Sequence, residues 1–90
     1  MKTGKRVTFP NYILFLQKNE HDFHRLGIVV KKEVGPATLR NRIKRYIREF
    51  FRLHKSQIKG SLDMIFLVKK GCSPIRYQEV EKELIRFFMQ

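Results

Sequence analysis

Arg40-Asn41-Arg42, followed by Lys44-Arg45 and then Arg48, concentrates cationic side chains around one amide within a short segment. Arginine is favoured here: between Arg40 and Arg52 the only lysine is Lys44. A guanidinium presents a planar fork that matches two phosphate oxygens at once, and it stacks on bases. Asn41, set between two arginines, can bond a phosphate, a sugar or a base edge. The chemistry on offer is the grip of a polyanion. Lys31-Lys32 lie upstream and add to the same positive field. Only Glu33 and Glu49 oppose the basic residues between Arg25 and Lys55.

Other chemically able residues have weaker spacing. His21 and His24 flank a polar loop and lack the further ligands a metal site needs. Cys72, the only cysteine, sits beside Ser73-Pro74 and reads as a small loop or core residue. Asp63 and Glu49 have no carboxylate partner nearby for acid–base work, and Glu49 is expected to offset Arg45 or Arg52. Glu79, Glu81 and Glu83 read as a solvated helix surface. No glycine-rich phosphate loop is present. No catalytic residue and no metal site is therefore assigned to this chain.

The elements that would position the basic segment follow from periodicity. Lys5 to Phe9 is short and β-prone, and Pro10-Asn11 breaks it. Tyr12 to Leu16 is a continuous apolar run, the pattern of a strand buried on both faces. Arg25 to Lys32 reads as the next strand, ended by Gly35-Pro36. Ala37 to His54 is the strongest helix. At 100° per residue, Leu39, Ile43, Tyr46, Ile47, Phe50 and Leu53 share one face, while Lys44, Arg45, Arg48 and Arg52 share the other. A helix built only for solubility would alternate signs to gain i,i+4 pairs. This one forgoes them, as expected where phosphates supply the missing charge. Its N-terminal amides, just after Gly35-Pro36, could also receive a phosphate. Leu62 to Lys69 is a further strand, and Ile75 to Met89 a last helix with Tyr77, Val80, Leu84, Phe87 and Phe88 at helical spacing. The order β-β-β-α-β-α argues for an α+β fold with helices on a sheet, in a single domain spanning residues 1–90.

The whole-chain balance agrees. Twenty Lys+Arg against eight Asp+Glu give a formal net charge of +12 in 90 residues. Such a domain most often meets nucleic acid. One thiol cannot build a disulfide framework, and no run approaches the ~20 apolar residues of a membrane span. The expected setting is the cytoplasm, with no membrane partner. A DNA-binding helical module has the helix but too few strands to match this pattern, and a membrane-surface helix would surrender the apolar face the core needs.

The stretch RLGIVVKKEVGPATLRNRIKRYIRE, Arg25 to Glu49, closely resembles the signature of the bacterial ribonuclease P protein component. That pattern is a strand ending in paired lysines, then Gly, then Ala, then Arg-Asn-Arg-x-Lys-Arg on a helix. Here these are Lys31-Lys32, Gly35, Ala37, Arg40-Asn41-Arg42 and Lys44-Arg45. The resemblance implies a four-stranded sheet packed with helices, similar to a ribosomal-protein domain, with a left-handed β-α-β crossover that departs from the usual hand. It implies that Arg40, Asn41, Arg42, Lys44, Arg45, Arg48, Lys31 and Lys32 face the catalytic RNA, and that Ile13 and Phe15 line a cleft for the single-stranded leader of precursor tRNA. For Ile13 and Phe15, plain sheet core is the competing expectation. The chain would be an accessory subunit, one copy per RNA, with the hydrolysis and its Mg2+ belonging to the RNA. It departs from the pattern at Glu33, where lysine is common, and at Pro36, where Asn or a basic residue is common. The usual helix ahead of the first strand is expected to be missing. The alternative function is that of a general, ribosomal-type protein for structured RNA, with no part in tRNA cleavage.

Overall fold

A computed structural model of the chain describes residues 4–58 and 60–88, the side chains of residues 87 and 88 excepted. The expected absence of a leading helix concerns the first residues and lies outside the described ones. Four strands, β1 (Lys5–Thr8), β2 (Tyr12–Lys18), β3 (Arg25–Val29) and β4 (Leu62–Val68), and two helices, α1 (Ala37–His54) and α2 (Tyr77–Phe88), follow the expected order. The sheet runs β1-β2-β4-β3, so the last strand in sequence is an inner one. β2 pairs antiparallel with β1 and with β4, from Tyr12 opposite Val68 to Lys18 opposite Leu62. β3 runs parallel to β4, which requires the long crossover that α1 supplies.

Both helices contribute to one core on one side of the sheet. Tyr12, Leu14 and Leu16 of β2 and Met64, Phe66 and Val68 of β4 are buried together with Ile43, Ile47 and Phe50 of α1 and Val80 and Leu84 of α2. Each such side chain contributes about 1.5–3 kcal/mol by leaving water. This arrangement corrects the reading of Tyr12–Leu16 as buried on both faces. Alternate residues of β2 are buried, and Phe15 is 39% exposed. The apolar run is continuous because two different surfaces need apolar residues there, and only one of them is the core. Leu53 is likewise exposed although it lies on the apolar side of α1.

Local chemistry sets the element ends. β3 stops at Val29, three residues short of the expected Lys32. Beyond it the chain bends into a 3-10 turn, Lys32–Val34, in which Val34 N–H donates to Lys31 O at 3.0 Å. The paired lysines therefore sit on that bend, and both are exposed. α1 begins after Pro36, whose carbonyl accepts from Arg40 N–H at 3.0 Å. α2 begins two residues later than expected. The Glu79 carboxylate reaches back to accept from the N–H groups of Ile75 and Arg76 at 3.3 and 3.2 Å, the reach-back half of a capping box. Met89 lies outside the described residues. β4 leaves the sheet through Lys70-Gly71, where Gly71 takes φ +96°, a backbone region that a Cβ disfavours.

Candidate nucleic-acid interface

α1 turns its basic residues away from the core in two groups. Asn41, Arg45, Arg48 and Arg52 follow one another at intervals of four, three and four residues, and all are exposed. That spacing places them in a single stripe along about 16 Å of helix. Arg40, Arg42 and Lys44 flank the stripe and are half-buried. The cations at i,i+3 and i,i+4 repel one another at a cost of a few tenths of a kcal/mol per pair. Among the described residues, Lys31, Lys32, Arg40, Arg42, Lys44, Arg45 and Arg48 form no ion pair. Arg40 is braced by its Nε, which donates to Gly35 O at 3.1 Å. The Arg45 guanidinium lies 5.4 Å from the ring centre of Tyr46, whose hydroxyl donates to Ile75 O at 3.1 Å. Glu49 is spent on Arg52, through bonds of 3.0 and 2.7 Å, and not on Arg45. That pairing holds the Glu49 carboxyl below its ordinary range.

The sheet face opposite the helices is open and apolar at its centre. Its residues are the odd-numbered ones of β2 and β4: Ile13, Phe15 and Gln17, and Asp63, Ile65 and Leu67, with Gly27 and Val29 beside them on β3. Ile65 is 47% exposed, and it stands opposite Phe15 across the strand pair. Val29 is 43% exposed on the same face. Arg6 of β1 stands opposite Phe15 on the other side, its guanidinium 5.9 Å from the ring centre. Lys5, Arg6, Phe15, Gln17, Asp63 and Ile65 line a trough of about 360 Å³. The structure thus brings Ile13 and Phe15 together on one surface and sets α1 on the other side of the sheet.

The sequence did not single out Arg6, which joins the trough only through strand register. It also left Arg25 and Asp63 unpaired. They stand opposite each other in the parallel β3–β4 pair, and the guanidinium binds the carboxylate at 2.7 and 2.6 Å. Arg25, with Asn19 donating at 2.8 Å, holds the Asp63 carboxyl far below the usual carboxylate range. The glutamates of α2 are a second revision. They are structural, not merely solvated: Glu83 accepts from Asn11 N–H at 2.6 Å and from its side-chain amide at 2.8 Å, Glu81 meets His54 Nε2 at 3.1 Å, and Glu79 caps the helix. Cys72 is buried, 3.5 Å from the Tyr12 hydroxyl, and burial pushes its thiol pKa up. His24 Nδ1 accepts from Leu62 N–H at 3.0 Å.

A family model described as Ribonuclease P matches residues 1–90. The chain belongs to the ribonuclease P protein family. It is 44% identical over 81 residues to the ribonuclease P protein component of Syntrophus aciditrophicus, covering 90% of this chain and 68% of that one. It is 39% identical over 85 residues to the component of Fusobacterium nucleatum, covering 89% and 77%. Among solved structures, the RNase P protein of Thermotoga maritima superposes with a TM-score of 0.84 at 34% identity, covering 97% of this chain and 83% of that one. The Staphylococcus aureus RNase P protein gives 0.83 at 36%, covering 92% and 76%. The four-stranded α+β architecture is that of the ribonuclease P protein structures, and no helix among the described residues is long and apolar enough to cross a membrane.

Proposed function

We propose that the chain docks on the catalytic RNA of ribonuclease P through α1 and the Lys31-Lys32 bend, and holds the 5′ leader of precursor tRNA on the open sheet face. As a family member it takes part in 5′ maturation of tRNA, as a subunit of an endoribonuclease partnered with ribonuclease P RNA. The observation that carries the docking assignment is the unpaired state of Arg40, Arg42, Lys44, Arg45 and Arg48 beside a carboxylate, Glu49, already taken by Arg52. A phosphate backbone relieves that repulsion and releases counterions. Arg45 and Arg48 lie on the exposed stripe and meet phosphates directly, while the braced Arg40 and neighbouring Asn41 set the register at its N-terminal end.

On the sheet face, Phe15 and Ile65 offer bases an apolar floor without reading sequence. Arg6, held over Phe15, supplies a cation for the leader backbone at the rim. Catalysis belongs to the RNA in this reading, with Mg2+ bound there and one copy of the chain per RNA in the cytoplasm. Five of the eight carboxylates, Asp63, Glu49, Glu79, Glu81 and Glu83, serve as internal acceptors.

Reconstitution tests the assignment. The chain is mixed with a bacterial ribonuclease P RNA at low Mg2+, and removal of a precursor-tRNA leader is timed. Stimulation is expected, with no cleavage when the RNA is omitted. Cleavage by the protein alone would overturn the placement of catalysis. Arg40→Ala with Arg42→Ala is expected to weaken binding to the RNA subunit far more than to a random duplex, and equal losses would remove the case for a dedicated partner.

A further inference from the structure

The β2–β3 loop carries a feature that neither the helix ridge nor the sheet face uses. Phe23 is 58% exposed within an otherwise polar loop. The ring of His21 lies against it, with centroids 5.2 Å apart and planes 31° apart, inside the range of favourable aromatic pairs. A lone exposed phenylalanine is ordinary. This one stands on a braced scaffold. The Asn19 side chain accepts from His21 N–H at 2.9 Å and donates to Phe23 O at 3.3 Å and to Asp63 Oδ1 at 2.8 Å. Asn19 N–H donates to Ser61 O at 3.1 Å, and His24 is tied to Leu62. A loop backbone held this way loses less freedom when a partner stacks on the rings it carries.

The loop is continuous with the open face. Asp63, which Asn19 grips, lines the trough together with Phe15 and Ile65, and it also lines the recess beside Gly27. The loop has no cationic surplus, because Glu20 and Asp22 alternate with the rings. Contact with a nucleic acid there runs through bases, not phosphates. Two rings are also far too small for a protein partner, which needs on the order of 1,200 Å² of total buried surface.

We propose that His21 and Phe23 form a stacking platform for an unpaired base of the leader, lying beyond the nucleotides held over Ile13 and Phe15. This rests on the reading that the open face receives the leader.

The test uses the ribonucleoprotein reconstituted from this chain and a bacterial ribonuclease P RNA. Dissociation constants are measured for precursor tRNAs whose leaders are shortened one nucleotide at a time. Phe23→Ala is expected to weaken binding about fivefold or more for long leaders, and not at all once the leader is too short to reach the loop. Its salt dependence stays that of the unaltered protein, because no phosphate contact is lost. Phe23→Trp restores affinity, and Phe15→Ala acts at shorter leaders than Phe23→Ala does. If Phe15→Ala weakens binding and Phe23→Ala does not at any length, the platform is refuted and the sheet-face reading stands. If neither acts, both fall. An equal loss for leaderless tRNA, or for the RNA subunit alone, would place Phe23 against folded RNA and overturn the platform.

Discussion

Replacing Arg45 and Arg48 together by alanine separates phosphate contact from helix stability. Both side chains are exposed, and among the described residues neither is in an ion pair. Among the described residues the Arg48 side chain forms no hydrogen bond, and Arg45 gives up only its position over Tyr46. Their removal takes two charges from a chain of formal net charge +12 and relieves like-charge neighbours along α1. Alanine is also the better helix former. The thermal midpoint is therefore expected to hold or rise. Binding to ribonuclease P RNA is expected to lose salt dependence at about 0.7–0.9 log–log units per phosphate contact. With two contacts gone, the fall in affinity between 50 and 200 mM salt shrinks by about seven- to twelvefold relative to the unaltered protein. The assay is a set of binding titrations across that salt range, with a melting curve for each variant. A parallel drop in affinity at every salt concentration, with the slope unchanged, would refute phosphate contact by this stripe. A lower melting point would refute its independence from the fold.

Other outcomes follow from the same geometry. Glu83→Ala removes the two hydrogen bonds that tie Asn11 to α2, and at about 1.5–3 kcal/mol for a bond to a charged group the loss is expected as a lower denaturant midpoint, with Glu83→Gln intermediate. Leu14→Ala leaves a cavity under the sheet, where Leu14 is fully buried, and is expected to cost about 2–5 kcal/mol in chemical denaturation; Phe15→Ala, one residue away on the open face, is expected to spare stability and weaken leader binding. Arg25 and Asn19 depress the folded-state pKa of Asp63, so this pair's contribution is present above the unfolded carboxylate pKa and is lost as pH falls from about 4 toward the lower folded value. Stability of Asp63→Asn, followed by denaturation at stepped pH, is accordingly expected to fall less steeply below about pH 4 than that of the unaltered chain, and identical slopes would remove Asp63 from the acid response.

What could be read along the chain was whatever depends on near neighbours. Helical spacing placed Ala37 to His54 and separated Ile43, Ile47 and Phe50 from Arg45, Arg48 and Arg52, because a helix's faces are determined by its own 3.6-residue turn. The Arg40–Arg45 motif and the charge bias are local in the same sense. The end of β3 was misplaced by three residues, at Lys32 instead of Val29, since a strand's end depends on its partner's length as well as on its own residues.

Tertiary structure alone decided which side of the sheet stays open. Tyr12 to Leu16 is apolar without alternation, so the strand itself does not say whether Leu14 or Phe15 meets the core. That choice is made where Ile47, Phe50 and Leu84 from two later helices come to the same side as Leu14 and Phe66. The link between Arg25 and Asp63 spans 38 residues, and that between Asn11 and Glu83 spans 72. Composition and periodicity carry no record of such pairings, because a carboxylate's role is set by whichever donor the folded backbone brings within 3 Å of it.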